Sequence, residues 1–225
     1  MKKQNRAFPP LRGGRAFRPS LTLIAASGNS GATISNAFSP KILCVTGQMA
    51  AGKNYICSLL EEDGFISIDL DKTAHAAISL CRDEILSSFS SEAERRGIFL
   101  LNEDGSLNRR ALGQIVFSDE ELLARQESIV YPKIIQLTNQ FIEEHREKSV
   151  ILNATVLFKT PELLSQCEKI LFVTSGFFTR LRRARKRDGL PLAQILARFK
   201  NQKNLLKAYK VAAAPLGIPV EIVKN

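Results

Sequence analysis

Residues 42–65 read ILCVTGQMAAGKNYICSLLEEDGF and hold the spacing G-x-x-x-x-G-K from Gly47 to Lys53. An apolar run, KILCVT, ends at Thr46, and NYICSLLEED opens a helical pattern directly after Lys53. A glycine loop between strand and helix aims backbone N–H groups and a helix N-terminus at one point, which suits phosphate oxygens. Lys53 would reach the β- and γ-phosphates of a nucleotide as a point charge. The candidate cradle is therefore Gly47, Gln48, Met49, Ala50, Ala51, Gly52, Lys53 and Asn54. A plain glycine turn between a strand and a helix would use the same spacing. A Ser or Thr hydroxyl normally follows the lysine and gives one oxygen to Mg²⁺. Here the position is Asn54, whose side-chain carbonyl is also a neutral, hard oxygen, one bond farther out.

Four further β-type runs follow: FISI (65–68), SVILNA (149–154), KILFVT (169–174) and IPVEIV (218–223). They are mostly continuous apolar rather than alternating, as strands buried on both faces are. Helical patterns separate them, which predicts a parallel sheet covered by helices. Residues 70–148 are too many for one crossover, so a helical insertion is expected there. Within it, SDEE at 118–121 predicts a helix capped by Ser118, with Glu121 closing a capping box. Leu122, Leu123, Ile129, Val130, Ile134, Ile135, Phe141 and Ile142 give that helix its apolar stripe. Pro132 is expected to kink or split it after Tyr131.

The whole chain carries 32 Lys and Arg against 22 Asp and Glu, a formal charge of +10. Six of those positive charges, Lys2, Lys3, Arg6, Arg12, Arg15 and Arg18, fall in residues 1–40, which contain no acid. The remainder is therefore only weakly basic, and no nucleic-acid partner is expected for the folded part. The tail is expected to be disordered, whether as a plain basic tail, a start assigned too far upstream or a targeting segment. LTLIAA at 21–26 is far too short to span a bilayer. Cys44, Cys57, Cys81 and Cys167 lack C-x-x-C spacing and sit in apolar surroundings, which predicts reduced, buried thiols and a cytoplasmic protein.

SIDLD places Asp69 and Asp71 at the carboxyl end of the second strand, where open α/β sheets bind ligands. One carboxylate there could accept the proton of an attacking hydroxyl or hold a magnesium water, while the other could simply cap the next helix.

From residue 41 onward the chain resembles the dephospho-coenzyme A kinase family, relatives of the nucleoside monophosphate kinases. The resemblance rests on the loop at 47–54, D-x-D at 69–71 with Ala74-His75, DGSLNRRALGQIVFSDEE at 104–121, and RARKRDGLPLAQILARFKNQ at 183–202. It implies a three-layer α/β/α P-loop fold with a five-stranded parallel sheet, a helical substrate insertion at about 72–147 and a lid at about 176–192. The implied reaction is phosphorylation of the ribose 3′-hydroxyl of dephospho-coenzyme A, with ATP and Mg²⁺, in a monomer. Asp71 matches the family's catalytic base. Lys53 and the lid arginines Arg183 and Arg187 would stabilise the transferring phosphoryl, and Asn54 and Asp71 would face the metal. Asp69, His75, Arg109 and Tyr131 are the implied substrate contacts, Arg109 for an anionic group.

The chain departs from the family pattern in several places. Ala50 stands for the loop's usual middle glycine. NATVLFK replaces D-x-P-L-L-F-E, so Asn153, Thr155 and Lys159 stand for an acid, a proline and an acid. Tyr131-Pro132 replaces His-Pro, and the chain reaches Asn225 where the family's I-x-N-x-G continues. The run RLRRARKR at 180–187 puts Arg180, Arg183 and Arg187 on one helical face, which a lid, a solvated helix or a nucleic-acid patch could use. His145 reads as a surface residue, and His75 fits either a substrate contact or a solvated helix position. The rival readings are another nucleoside monophosphate or small-molecule kinase, a nucleotide-binding protein without turnover, and nucleic-acid binding through the basic tail.

Overall fold

The computed structural model describes residues 40–225; the expectations for the basic tail before residue 40 lie outside them. Five strands form one wholly parallel sheet: β1 (Ile42–Gly47), β2 (Ile66–Asp69), β3 (Val150–Asn153), β4 (Lys169–Thr174) and β5 (Val220–Lys224). Their spatial order is β2-β3-β1-β4-β5, so β1 is central and the chain reverses direction of winding around it. That switch point is where such sheets leave a crevice beyond their carboxyl ends. The register sets the chemistry side by side there, because Asn153 pairs with Val45 on one flank and with Asp69 on the other.

The helices are α1 (Lys53–Glu62), α2 (Leu70–Leu80), α3 (Arg82–Arg95), α4 (Arg109–Val116), α5 (Glu120–Glu144), α6 (Pro161–Leu164), α7 (Phe177–Asp188), α8 (Leu192–Asn201) and α9 (Leu205–Ala213). The architecture is the three-layer α/β/α arrangement expected, with α2–α5 filling the interval between β2 and β3. β1, β3 and β4 are continuous apolar strands with buried interiors, which accounts for their lack of alternation. β5 departs from that expectation. It is an edge strand, and Glu221 and Ile222 are exposed.

Two local expectations are corrected. Asp119, not Ser118, caps α5: its Oδ1 accepts from the N–H groups of Glu121 (2.7 Å) and Leu122 (3.3 Å). A carboxylate at a helix N-terminus also gains from the dipole, so it displaces the hydroxyl. Ser118 instead turns back to donate to the Ile115 carbonyl at 2.7 Å, finishing α4. Pro132 does not split α5, which runs unbroken for 25 residues. The proline is exposed, whereas Val130, Ile134 and Thr138, four apart on one face, are buried. Burial of that stripe holds both halves of the helix in place, and tertiary packing outweighs one missing N–H.

One large core joins the sheet, α9 and the helices between β2 and β3. A smaller cluster of Ala184, Ile195 and Phe199 packs α7 on α8, with Met49 and Ala50 of the glycine loop laid against it. Cys44, Cys57 and Cys167 are buried free thiols, as expected, whereas Cys81, also free, is only half-buried.

Candidate active site

The glycine loop leaves β1 through two glycines at positive φ. Gly47 has φ 150°, and a Cβ there would sit 2.2 Å from the Val173 carbonyl oxygen of β4. Gly52, at φ 100°, would drive a Cβ into the Asn225 side chain, whose Nδ2 donates to the Ala51 carbonyl at 2.9 Å. Ala50 takes φ 59° without being glycine, so the departure noted in the sequence falls on a left-handed backbone position. α1 then begins at Lys53 with no side-chain cap and no acid in its first turn. Its leading N–H groups are thus left for an anion.

The loop opens on a cleft of about 740 Å³ at the carboxyl ends of the strands. Every residue from Gln48 to Asn54 lines it, together with Asp69, Asp71, Arg183 and Arg187. Four residues with no role there in the sequence analysis, Asn153, Thr155, Lys186 and Gln202, also line it. The charged lining comprises Lys53, Arg183, Lys186 and Arg187 against Asp69 and Asp71, a net positive wall suited to a polyphosphate.

Two of the expected carboxylates divide their work. Asp69 caps α2, its Oδ1 accepting from the N–H groups of Asp71 (3.1 Å) and Lys72 (3.2 Å). Asp71 is left exposed on the cleft, where its Oδ2 accepts from the Thr155 hydroxyl at 3.3 Å. The same hydroxyl accepts from Lys53 Nζ at 2.8 Å. Burial pushes the Lys53 ammonium below its usual range, while Asp71 and then Asp69 oppose that shift. Thr155 is itself held from behind. Tyr209, fully buried, donates its hydroxyl to the Thr155 carbonyl (3.3 Å) and accepts from the Leu157 N–H (2.9 Å).

The basic face of α7 is split rather than shared. Arg180 is buried at 7% exposure, donating from Nε to the Met49 carbonyl (3.1 Å) and from Nη1 to the Gln48 side chain. Its guanidinium lies 4.2 Å from the Phe199 ring centre, and burial lowers its pKa. It is a strut under the loop, not part of the cleft wall. Arg183 donates to the Ala51 carbonyl at 3.3 Å and reaches the cleft. Arg187 is paired with Asp188, which raises its pKa. Gln202 closes the set: its Oε1 accepts from the Met49 N–H at 2.6 Å.

His75, Arg109 and Tyr131 do not line this cleft. His75 is exposed one turn along α2 from Asp71. Arg109 opens α4 and lines a separate cavity of about 540 Å³ with Arg82 and Arg110. Tyr131 is half-buried on α5, its pKa raised by burial and by the neighbouring Glu127. Lys159, which stands where the family carries an acid, forms an ion pair with that same Glu127.

A sequence profile described as dephospho-CoA kinase matches residues 41–217. The chain belongs to the dephospho-CoA kinase family. Among relatives of that name, the Treponema denticola protein is 38% identical over 174 residues, covering 76% of this chain and 77% of its own. The Treponema pallidum protein is 34% identical, covering 72% and 78% respectively. A Thermus thermophilus crystal structure superposes with a TM-score of 0.67 at 27% identity, over 83% of this chain and 90% of that one. The family uses ATP, which fits a cleft built from amides, one half-buried ammonium and arginines. Among the described residues no helix is long and apolar enough to cross a membrane.

Proposed function

We propose that this chain transfers the γ-phosphoryl group of ATP to the ribose 3′-hydroxyl of dephospho-CoA, the last step of coenzyme A synthesis. One observation carries the reading: a single hydroxyl, Thr155 Oγ1, contacts both Lys53 Nζ and the Asp71 carboxylate at the mouth of the glycine loop. A base and a phosphate-binding cation are thereby held within one side chain of each other. In the reaction Asp71 takes the proton of the 3′-hydroxyl as its oxygen bonds to the γ-phosphorus. The bond from that phosphorus to the β-phosphate oxygen breaks, and ADP departs. Lys53 and the loop amides bear the charge that builds on the transferring group, with Arg183 and Arg187 closing from α7.

The donor set also fits magnesium, because the Asn54 carbonyl and the Asp71 carboxylate are hard oxygens on the same cleft. When bound, the ion neutralises charge on the β- and γ-phosphate oxygens. We assign the helices α2–α5 to acceptor binding, with Arg109, Arg82 and Arg110 for an anionic group of the acceptor and His75 and Tyr131 on the approach. The segment around α7 serves as the lid. The enzyme is read as a cytoplasmic monomer.

An acceptor panel tests the assignment. Purified protein with ATP and Mg²⁺ is offered dephospho-CoA, AMP, CMP and UMP, and ADP release is followed together with the mass of each acceptor. Turnover with dephospho-CoA alone is the expected result. Turnover restricted to a nucleoside monophosphate would make this another kinase of the group, and ATP binding without any transfer would leave a nucleotide-binding protein.

A further inference from the structure

Two departures from the family pattern, 99 positions apart in sequence, meet in space. Asn153 Nδ2 donates to Asn54 Oδ1 at 3.1 Å. Among the described residues this is the only hydrogen bond that either side chain makes. Asn153 is buried at 7% exposure, and its backbone is fixed by its place in β3, between β1 and β2. Asn54 is exposed at the second position of α1, where nothing else restrains its amide. The contact therefore couples the turn of the Asn54 carbonyl to the Asn153 amide.

We infer that Asn153 is a positioning residue for Asn54, and that the two carboxamides work as a matched pair on the metal side of the nucleotide. An amide carbonyl has two lone pairs, and the Asn153 N–H occupies one. The other remains for a divalent cation or one of its waters. If the Asn54 amide turned over by itself, N–H would face N–H, and a donor would be offered to the metal in place of an oxygen. A hydroxyl needs no such orienting partner, because its oxygen accepts in any rotamer. That is why an asparagine after the lysine requires a donor opposite, and why a carboxylate at position 153 would be a poor neighbour. Acceptor would then face acceptor at about 3 Å, with no proton between them.

The inference rests on reading the cleft as an ATP site, and binding measurements separate the two. Calorimetry on the full chain gives ATP affinity in EDTA and with Mg²⁺, for wild type, Asn153→Ala, Asn54→Ala, the double alanine, Asn153→Asp, and Asn54→Ser with Asn153→Asp. Removing an orienting partner costs about 10–100-fold in metal affinity. Asn153→Ala is accordingly expected to reduce the magnesium-dependent gain in ATP affinity about tenfold, with affinity in EDTA unchanged. The double alanine should lose no more than Asn54→Ala alone. Asn153→Asp should lose the gain, and adding Asn54→Ser should restore it. A melting temperature for each nucleotide-free variant identifies any that fail to fold.

Additive losses in the double alanine, or equal losses in EDTA and in Mg²⁺, would overturn the pairing. So would full metal dependence in folded Asn153→Ala. No ATP binding by wild type under either condition would overturn the ATP-site reading itself.

Discussion

Arg180 offers a sharp test of how α7 and the glycine loop are joined, because two incompatible roles predict opposite results. On its helical spacing it could bind phosphate with Arg183 and Arg187. In the structure it lies beneath the loop, with two hydrogen bonds to residues 48–49 and Phe199 stacked against its guanidinium. Arg180→Met keeps the length of the side chain and removes the donors. Hydrogen bonds from a charged group are worth about 1.5–3 kcal/mol each, and the cation–π contact adds ~1 kcal/mol. No carboxylate partners this guanidinium among the described residues, so relief of its desolvation offsets much of that sum. A net loss of about 2–3 kcal/mol remains, which lowers Tm by ~4–12 °C in a chain of this size. ATP affinity should fall by no more than about tenfold, or ~1.4 kcal/mol, because the loop loses order but no phosphate ligand. Thermal denaturation and calorimetry on the same preparation read both quantities. An unchanged Tm together with an affinity reduced by about a hundredfold would refute the strut and make Arg180 a phosphate ligand.

The remaining predictions concern single side chains. Asp71→Asn should lower turnover by about 10²–10⁴ while ATP affinity stays within about twofold, and unaffected turnover would remove Asp71 as the base. Ala50→Val, placing a β-branched side chain at φ 59°, should destabilise the protein by about 1–2 kcal/mol in urea denaturation. Ala50→Gly should change stability by less than ~1 kcal/mol, since relief of strain is offset by a more flexible unfolded chain. Burial pushes the thiols of Cys57 and Cys167 up to about 12, so at pH 8 only about 10⁻⁴ of each is thiolate. Iodoacetamide should leave both unmodified in the native protein and label all four cysteines in urea, as peptide mass mapping would show.

How much could be read from the sequence differs by element, for physical reasons. The loop from Gly47 to Lys53 was legible because its glycines answer local demands, a left-handed turn and the close approach of β4. The strands were legible because burial on both faces leaves a continuous apolar run, and β5 was misjudged because an apolar run does not reveal an edge. The cap of α5 was misplaced by one residue, since Ser118 and Asp119 both suit the position and only the competing Ile115 carbonyl decides between them. The split at Pro132 is absent for a related reason: local propensity is visible in sequence, but the buried stripe that overrides it is tertiary. Within the site, Thr155 lies 102 positions from Lys53 and 84 from Asp71, and the contacts that give it a role are invisible along the chain. The same holds for Arg180 under the loop and for Asn153 opposite Asn54. What marked Asn153 and Thr155 beforehand was their departure from the family pattern, which showed where to look but not what they touch. Lys186 carried a signal that went unused, lying three residues from Arg183 on the same face of α7.

The most direct test of the account is a crystal structure of the chain with a non-hydrolysable ATP analogue, Mg²⁺ and dephospho-CoA. The account predicts the β-phosphate within the turn from Gly47 to Asn54, Lys53 Nζ moved from Thr155 onto phosphate, and the ribose 3′-hydroxyl hydrogen-bonded to the Asp71 carboxylate. A turn left empty, or a 3′-hydroxyl out of reach of Asp71, would contradict it.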